Sequence, residues 1–140
     1  MNAVDFFNEL AQKTDGILAT GRFFTFTPFL HRRIFNDFNG KIGIKPSDVV
    51  LDLGGGTGEL TKYVARSCLQ VVLADGAAAT LHIAKRKLKD ANNVIYAIAD
   101  IDKELPFPKE YFDKIICYSA IHYLSNVGRF NLLFQRLFNI

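Results

Sequence analysis

From Val49 onward, short apolar runs alternate with segments whose apolar residues recur at helical spacing. Val49-Val50-Leu51-Asp52-Leu53 is rich in β-branched residues and stops at glycines, the pattern of a buried strand. Glu59 to Arg66 follows with Leu60, Tyr63 and Val64 at the spacing of a helix. Gln70 to Ala74 is a second strand. Ala77 to Lys89 is a helix, with Leu81, Ala84 and Leu88 on one face and lysines on the other. Val94 to Ile98 and Tyr111 to Tyr118 are predicted as a third and a fourth strand, and Val127 to Phe138 as a closing helix.

Continuously apolar strands joined through helices imply a parallel sheet covered on both faces. Right-handed connections wind such a sheet outward in two directions from its first strand. The fold class is therefore α/β, a doubly wound, Rossmann-like parallel sheet of about four strands with N-terminal helices. Ligands of such sheets bind beyond the carboxyl ends of the strands, where the winding reverses. That crevice falls between the strand ending at Leu53 and the one ending near Tyr118. The start of the chain reads differently, with helices at Val4 to Lys13 and Phe29 to Phe38 flanking an aromatic run, Phe23-Phe24-Thr25-Phe26-Thr27-Pro28-Phe29. These rings suit core packing or the apolar wall of a ligand pocket. Residues 1–43 are expected to form a helical cap or lid segment, and 44–140 the main domain. Lys45-Pro46-Ser47-Asp48 is the turn that delivers the chain into the first strand.

Composition adds few constraints. Hydrophobic residues make up 49% of the 140 and charged residues 22%, ordinary proportions for a globular chain. The 17 basic and 14 acidic residues are scattered. The one basic cluster, Lys85-Arg86-Lys87-Lys89, lies on a predicted amphipathic helix and reads as a solvated face, so no nucleic-acid partner is expected. Cys68 and Cys117 have no second pair at metal spacing and are expected to be buried free thiols. No metal is implied. The start, Met1-Asn2-Ala3-Val4-Asp5, lacks a basic region followed by an apolar run, and no apolar stretch is long enough to span a bilayer. A cytoplasmic protein without a membrane partner is the expectation.

The chemistry concentrates at Asp52-Leu53-Gly54-Gly55-Gly56-Thr57-Gly58, directly after a strand and before a helix. Several cofactor families use such a loop, and spacing separates them. A dinucleotide-binding loop needs G-x-G-x-x-G. After Gly54 and Gly56 the third position is Glu59, and after Gly56 and Gly58 it is Thr61. A phosphate-binding P-loop ends Gly-Lys-Ser/Thr, whereas this one ends Gly58-Glu59-Leu60. A carboxylate at the helix start would repel a phosphate.

The order Asp52-x-Gly54-x-Gly56-x-Gly58 resembles the first motif of class I S-adenosylmethionine-dependent methyltransferases, and the resemblance continues along the chain. An acid, Asp75, ends the second strand. Ala99-Asp100-Ile101 follows the third, and Leu105-Pro106-Phe107, Tyr111-Phe112-Asp113 and Ser119-Ala120-Ile121-His122-Tyr123 come after it. The match runs from about Ile44 to the end and is similar to the family's small-molecule members. The resemblance implies S-adenosylmethionine as cofactor and S-adenosylhomocysteine as product. It implies that Gly54, Gly56 and Gly58 make room for the methionine portion and that Asp52 helps hold its amino group. Asp75, with Gly76 beside it, would take the ribose, Asp100 the adenine amino group, Ile101 the ring, and the backbone near Tyr118 and Ser119 the methionine end. Plainer roles exist beside these: Asp75 as a helix cap, Asp100 as a solvated loop residue, Asp113 as the start of a strand, and Tyr63 and Tyr118 as core or pocket wall.

Methyl transfer from a sulfonium is an in-line displacement, in which an enzyme mainly positions the reactants and excludes water. A base helps only when the acceptor loses a proton. His122, after the fourth strand, is the histidine placed beside the crevice, where it reads either as a base or acceptor-positioning group or as a structural or solvent-exposed residue, while His31 and His82 on predicted helices receive no role. The expected function is methyl transfer to an unidentified small-molecule acceptor, with a cofactor- or partner-binding module lacking turnover as the alternative. A nicotinamide oxidoreductase is disfavoured by Glu59. The family's sheet has further strands, so the chain reads as truncated after its fourth. The fourth strand is then expected to offer an open edge for self-association, and Leu132, Leu133, Phe134, Leu137 and Phe138 to lose the surface they should cover.

Overall fold

The computed structural model describes residues 2–13, 28–118, 120–124 and 126–140; Phe23 to Thr27 of the aromatic run and Ser119 lie outside these described residues. The elements are α1 (Ala3–Lys13), α2 (Pro28–Ile42), β1 (Val49–Leu53), α3 (Thr61–Val64), β2 (Gln70–Asp75), α4 (Ala78–Lys87), β3 (Val94–Ile98), β4 (Lys114–Ile116), a 3-10 turn at Ile121–Tyr123, and α5 (Val127–Leu137). The four strands form one parallel sheet in the order β3-β2-β1-β4. Leu51 of β1 is paired with Val72 of β2 on one side and Ile115 of β4 on the other. The first strand is thus central, and the chain winds outward from it in both directions. No helix of the described residues is long and apolar enough to cross a membrane.

The pleat distributes alternate residues of β1 and β2 between two cores. Val50, Val71 and Ile116 meet Phe35 of α2 and Leu60 and Val64 around α3. Leu73 on the same side packs against Leu81, Ala84 and Leu88 of the α4 segment. On the opposite face Leu51, Leu53, Val72 and Ala74 pack with Leu105 and Leu133. Burial on both faces explains why β1 and β2 are apolar apart from Asp52 and the terminal Gln70 and Asp75, while the edge strand β3 exposes Ile95 and Ile98.

Three expectations need correction. Strand β4 covers Lys114 to Ile116 rather than Tyr111 to Tyr118, because the amides of Tyr111 and Phe112 donate to the carbonyl of Ile140 at 2.8 and 3.4 Å instead of entering the ladder. Leu133 is fully buried and Leu137 packs partly beside it, because α5 lies across the second face of the sheet; only Leu132, Phe134 and Phe138 of the five are exposed. Cys68 and Cys117 are free thiols but only half-buried. Burial, ahead of the nearby charges of Asp48 and Asp52, pushes them up to about 11 and about 12. The lysine face of α4 is solvated as expected.

Candidate active site

Beyond the carboxyl ends of β1, β2 and β3 lies a cleft of about 940 Å³, open to solvent. The glycine loop forms its floor. Gly54 turns the chain out of β1 at a φ of +75°, and a Cβ there would stand 2.4 Å from Cβ of Ala120, which lines the far side. The amide of Gly54 donates to the carbonyl of Ala74 at 2.7 Å, tying the loop to β2.

Each strand end delivers an acid. Asp52 is buried within β1 and accepts a hydrogen bond from the Thr61 hydroxyl at 2.6 Å. Burial pushes its pKa from 3.8 up to about 6; the Thr61 bond opposes that rise and the charge of Asp75 adds to it. Asp75, at the end of β2, accepts from the Gly56 amide at 2.9 Å through one oxygen and from the Ala77 amide at 2.9 Å through the other. Burial raises its pKa as well, against the hydrogen bonds from Ala77, Gly56 and Thr80 and with the charge of Asp100. Asp100, just past β3, accepts from the Asp102 amide at 2.9 Å and faces Lys103 at 3.4 Å. Glu59 also lines the cleft, with its carboxylate paired to Lys87 of α4.

Asp52, Gly54, Gly56, Asp75, Gly76, Asp100, Ile101 and Tyr118 are brought together around this cleft. Gly76 lies against α1, where a Cβ would meet Val4 at 2.7 Å. Two residues singled out in the sequence stand apart. Gly58 is buried under α4, where a Cβ would meet Leu88 at 2.7 Å, and it does not line the cleft. His122 is exposed on the turn Ile121–Tyr123 and does not line it either. Asp113 accepts from the Val49 amide at 2.8 Å and so starts the pairing of β4 with β1.

The cleft also holds residues the sequence did not single out. Thr57 is buried with a hydroxyl that has no hydrogen-bond partner among the described residues. His31 of α2 is 4% exposed. Ala3, Val4 and Phe7 of α1 complete the wall. His31 did carry a signal, since it precedes Phe35, Phe38 and Ile42 at helical spacing on the face that reaches the core.

Buried carboxylates that raise one another's pKa favour a cation, which relieves both desolvation and mutual repulsion. They oppose a phosphate. A glycine floor, an orphaned hydroxyl and three acids at successive strand ends suit a cationic ligand that also carries hydroxyl and amino donors, and S-adenosylmethionine has that donor set. No group of three or more metal-ligating side chains exists among the described residues.

A family model described as "Methyltransferase domain" matches residues 50–139. The chain belongs to the class I methyltransferase family. This methyltransferase domain is 44% identical over 79 residues to the ubiquinone/menaquinone biosynthesis C-methyltransferase UbiE of Vibrio vulnificus, covering 52% of this chain and 30% of that protein. It superposes with a TM-score of 0.76 on a candidate S-adenosyl-L-methionine-dependent methyltransferase from Methanococcus maripaludis, at 20% identity and over 100% of this chain and 61% of the other. The TM-score is 0.72 for Haemonchus contortus phosphoethanolamine N-methyltransferase 1 in complex with phosphoethanolamine and S-adenosylhomocysteine, at 20% identity over 94% of this chain and 28% of the other. Across the first curated relatives the chain spans 30% to 39% of their length. The four-stranded sheet is thus the shared methyltransferase fold, short of the full-length neighbours.

Proposed function

We propose that this domain binds S-adenosylmethionine in the cleft and transfers its methyl group to a small-molecule acceptor, leaving S-adenosylhomocysteine. The observation that carries it is the convergence of Asp52, Asp75 and Asp100 with the glycine loop on one cleft. In this assignment Asp100 and Ile101 take the adenine, and Asp75 takes the ribose hydroxyls with the lone pairs its two amide bonds leave unused. Asp52 and the loop around Gly54 and Gly56 take the methionine end, and Tyr118 flanks it. Thr57 supplies a further hydroxyl there. The cofactor supplies an activated methyl; the protein holds it, excludes water and aligns the acceptor.

Helix α1 serves as a cap, in keeping with a division into an N-terminal segment, 1–43, and a main domain, 44–140. The acceptor is less constrained. The N-methyltransferase and the C-methyltransferase named above have different acceptors, so the fold alone does not select one. The identity to C-methyltransferases of ubiquinone and menaquinone biosynthesis favours a carbon acceptor of that kind.

Titration calorimetry and thermal melting test the assignment. S-adenosylhomocysteine should bind and raise the melting temperature, while NAD and ATP should do neither. At a hundredfold excess over Kd the stabilisation amounts to about 2.7 kcal/mol. Stabilisation by NAD without any by S-adenosylhomocysteine would refute the assignment. Binding without methyl transfer to demethylated quinols would leave the cofactor site standing and remove the acceptor.

A further inference from the structure

We infer that His31, and not His122, is the imidazole that contacts the methyl acceptor; the inference rests on the cofactor assignment above. Sheet order fixes direction along the cleft. Running from β3 through β2 to β1 and β4, it presents Asp100, then Asp75, then Asp52, and finally Tyr118 and Ala120. The adenosine therefore lies toward β3, and the reacting end toward β1 and β4.

Helix α2 is anchored on α3, the helix that follows the glycine loop: Phe35 stacks on Tyr63 with ring centroids 6.1 Å apart, and it is buried in one cluster with Val50 of β1, Val71 of β2 and Ile116 of β4. His31 lies four residues before Phe35, one helical turn away on the same face, which carries its ring from the core to the cleft. Helix α1 sits on the other side, against α4, beyond Asp75. The remaining histidines face elsewhere: His82 is exposed on α4, and His122 is exposed on its turn.

The chemistry agrees with the placement. The charged side chains of the cleft are Asp52, Glu59, Asp75 and Asp100, all acidic and all suited to a cationic cofactor. An imidazole is a hydrogen-bonding group that adds no negative charge, so it can meet an acceptor's hydroxyl in this acidic cleft. Leu60, in the same buried cluster as Phe35, and Phe7 of α1 give the cleft apolar walls. The acceptor class that fits is an apolar molecule carrying a hydroxyl.

The test uses the 140-residue chain, the histidine ring C–H resonances, and three probes. Adenosine fills only the β3 and β2 end. S-adenosylhomocysteine adds the amino-acid end, and sinefungin adds an amino group where the transferred methyl would be. The His31 signal, assigned by its loss in His31→Asn, should stay still with adenosine and move most with sinefungin, while His82 and His122 stay still. A His31 signal unmoved by sinefungin that calorimetry shows to be bound, or a moving His122 signal in its place, overturns the inference alone. No binding heat from sinefungin or S-adenosylhomocysteine overturns the cofactor assignment and the inference with it. As a second measurement, His31→Asn and His31→Phe should weaken sinefungin about tenfold, or about 1.4 kcal/mol, and S-adenosylhomocysteine less than about twofold. Equal losses for both ligands would mean that His31 only holds α2 in place, and would overturn it as well.

Discussion

The amide of Gly56 donates to Oδ2 of Asp75 across 2.9 Å, joining the glycine loop to the end of the neighbouring strand 19 residues away in sequence. The other oxygen, Oδ1, accepts from Ala77 at the start of α4. One carboxylate therefore braces the loop and the helix as well as facing the cleft.

This double duty predicts a mixed phenotype for Asp75. Asp75→Ala leaves two amides without their acceptor, which should lower unfolding free energy without ligand by roughly 1–3 kcal/mol. Affinity for S-adenosylhomocysteine should fall about tenfold or more. Asp75→Asn keeps one acceptor oxygen and should recover stability more fully than affinity. Urea unfolding and titration calorimetry on both variants separate the two effects; an unchanged midpoint in Asp75→Ala would mean that water replaces the carboxylate at both amides.

Asp52 sets a pH dependence of known sign. Its pKa rises from 3.8 to about 6 in the folded chain, first because it is buried. The folded state thus keeps a proton that the unfolded chain has released. Stability from this group is greatest below about pH 4, falls by roughly 3 kcal/mol as pH climbs to about 6, and is level above that. Asp52→Asn can still accept from Thr61, so it should flatten this slope and raise stability without ligand at pH 7 to 8. It should also weaken S-adenosylhomocysteine, whose amino group loses its counter-charge. Denaturation at a series of pH values checks the first effect; a wild-type slope retained in Asp52→Asn would assign the titration to another group.

Gly58 distinguishes the packing of the loop from its ligand contacts. It has a φ of +80°, and a Cβ would meet Leu88 at 2.7 Å and Leu73 at 3.3 Å. Gly58→Ala combines left-handed backbone strain of about 1–2 kcal/mol with overpacking under α4 of about 1–3 kcal/mol. The melting temperature should drop clearly, while the affinity of the folded fraction for S-adenosylhomocysteine changes little. A large loss of affinity at unchanged stability would instead place Gly58 against the ligand.

These contrasts show what one-dimensional pattern carries. Strands β1 and β3 appear with the bounds read from their apolar runs, because burial on the sheet is a local property of alternating residues. The acids at the ends of β2 and β3 were legible for the same reason, since strand ends point at the crevice. What escaped depends on partners far away in sequence. Tyr111 and Phe112 look like strand residues until their amides meet Ile140. Leu133 looks stranded until α5 is laid over Leu51 and Leu53. His31 shows in the sequence only as part of the apolar face of α2 until that helix docks beside α3, and His122 stands exposed on its turn.

The last prediction concerns the seating of α1. The N-cap of helix α4 is Ala77, which has no side chain able to cap it. Asn8 of α1 supplies the missing acceptor from 71 residues away, taking a hydrogen bond from the Ala79 amide at 3.0 Å. The same helix places Ala3, Val4 and Phe7 in the cleft wall, and Val4 rests where any side chain on Gly76 would intrude. One hydrogen bond thus couples α1 to the helix that follows Asp75. Asn8→Ala should cost about 1 kcal/mol, the usual value of a helix cap. It should also speed amide hydrogen exchange across residues 3–13 and weaken S-adenosylhomocysteine, because a detached α1 no longer shields the cleft. Asn8→Asp keeps an acceptor and adds a charge favourable at a helix start, so it should retain protection. Exchange in residues 3–13 that is equally slow in wild type and Asn8→Ala would show that apolar packing alone holds α1 in place.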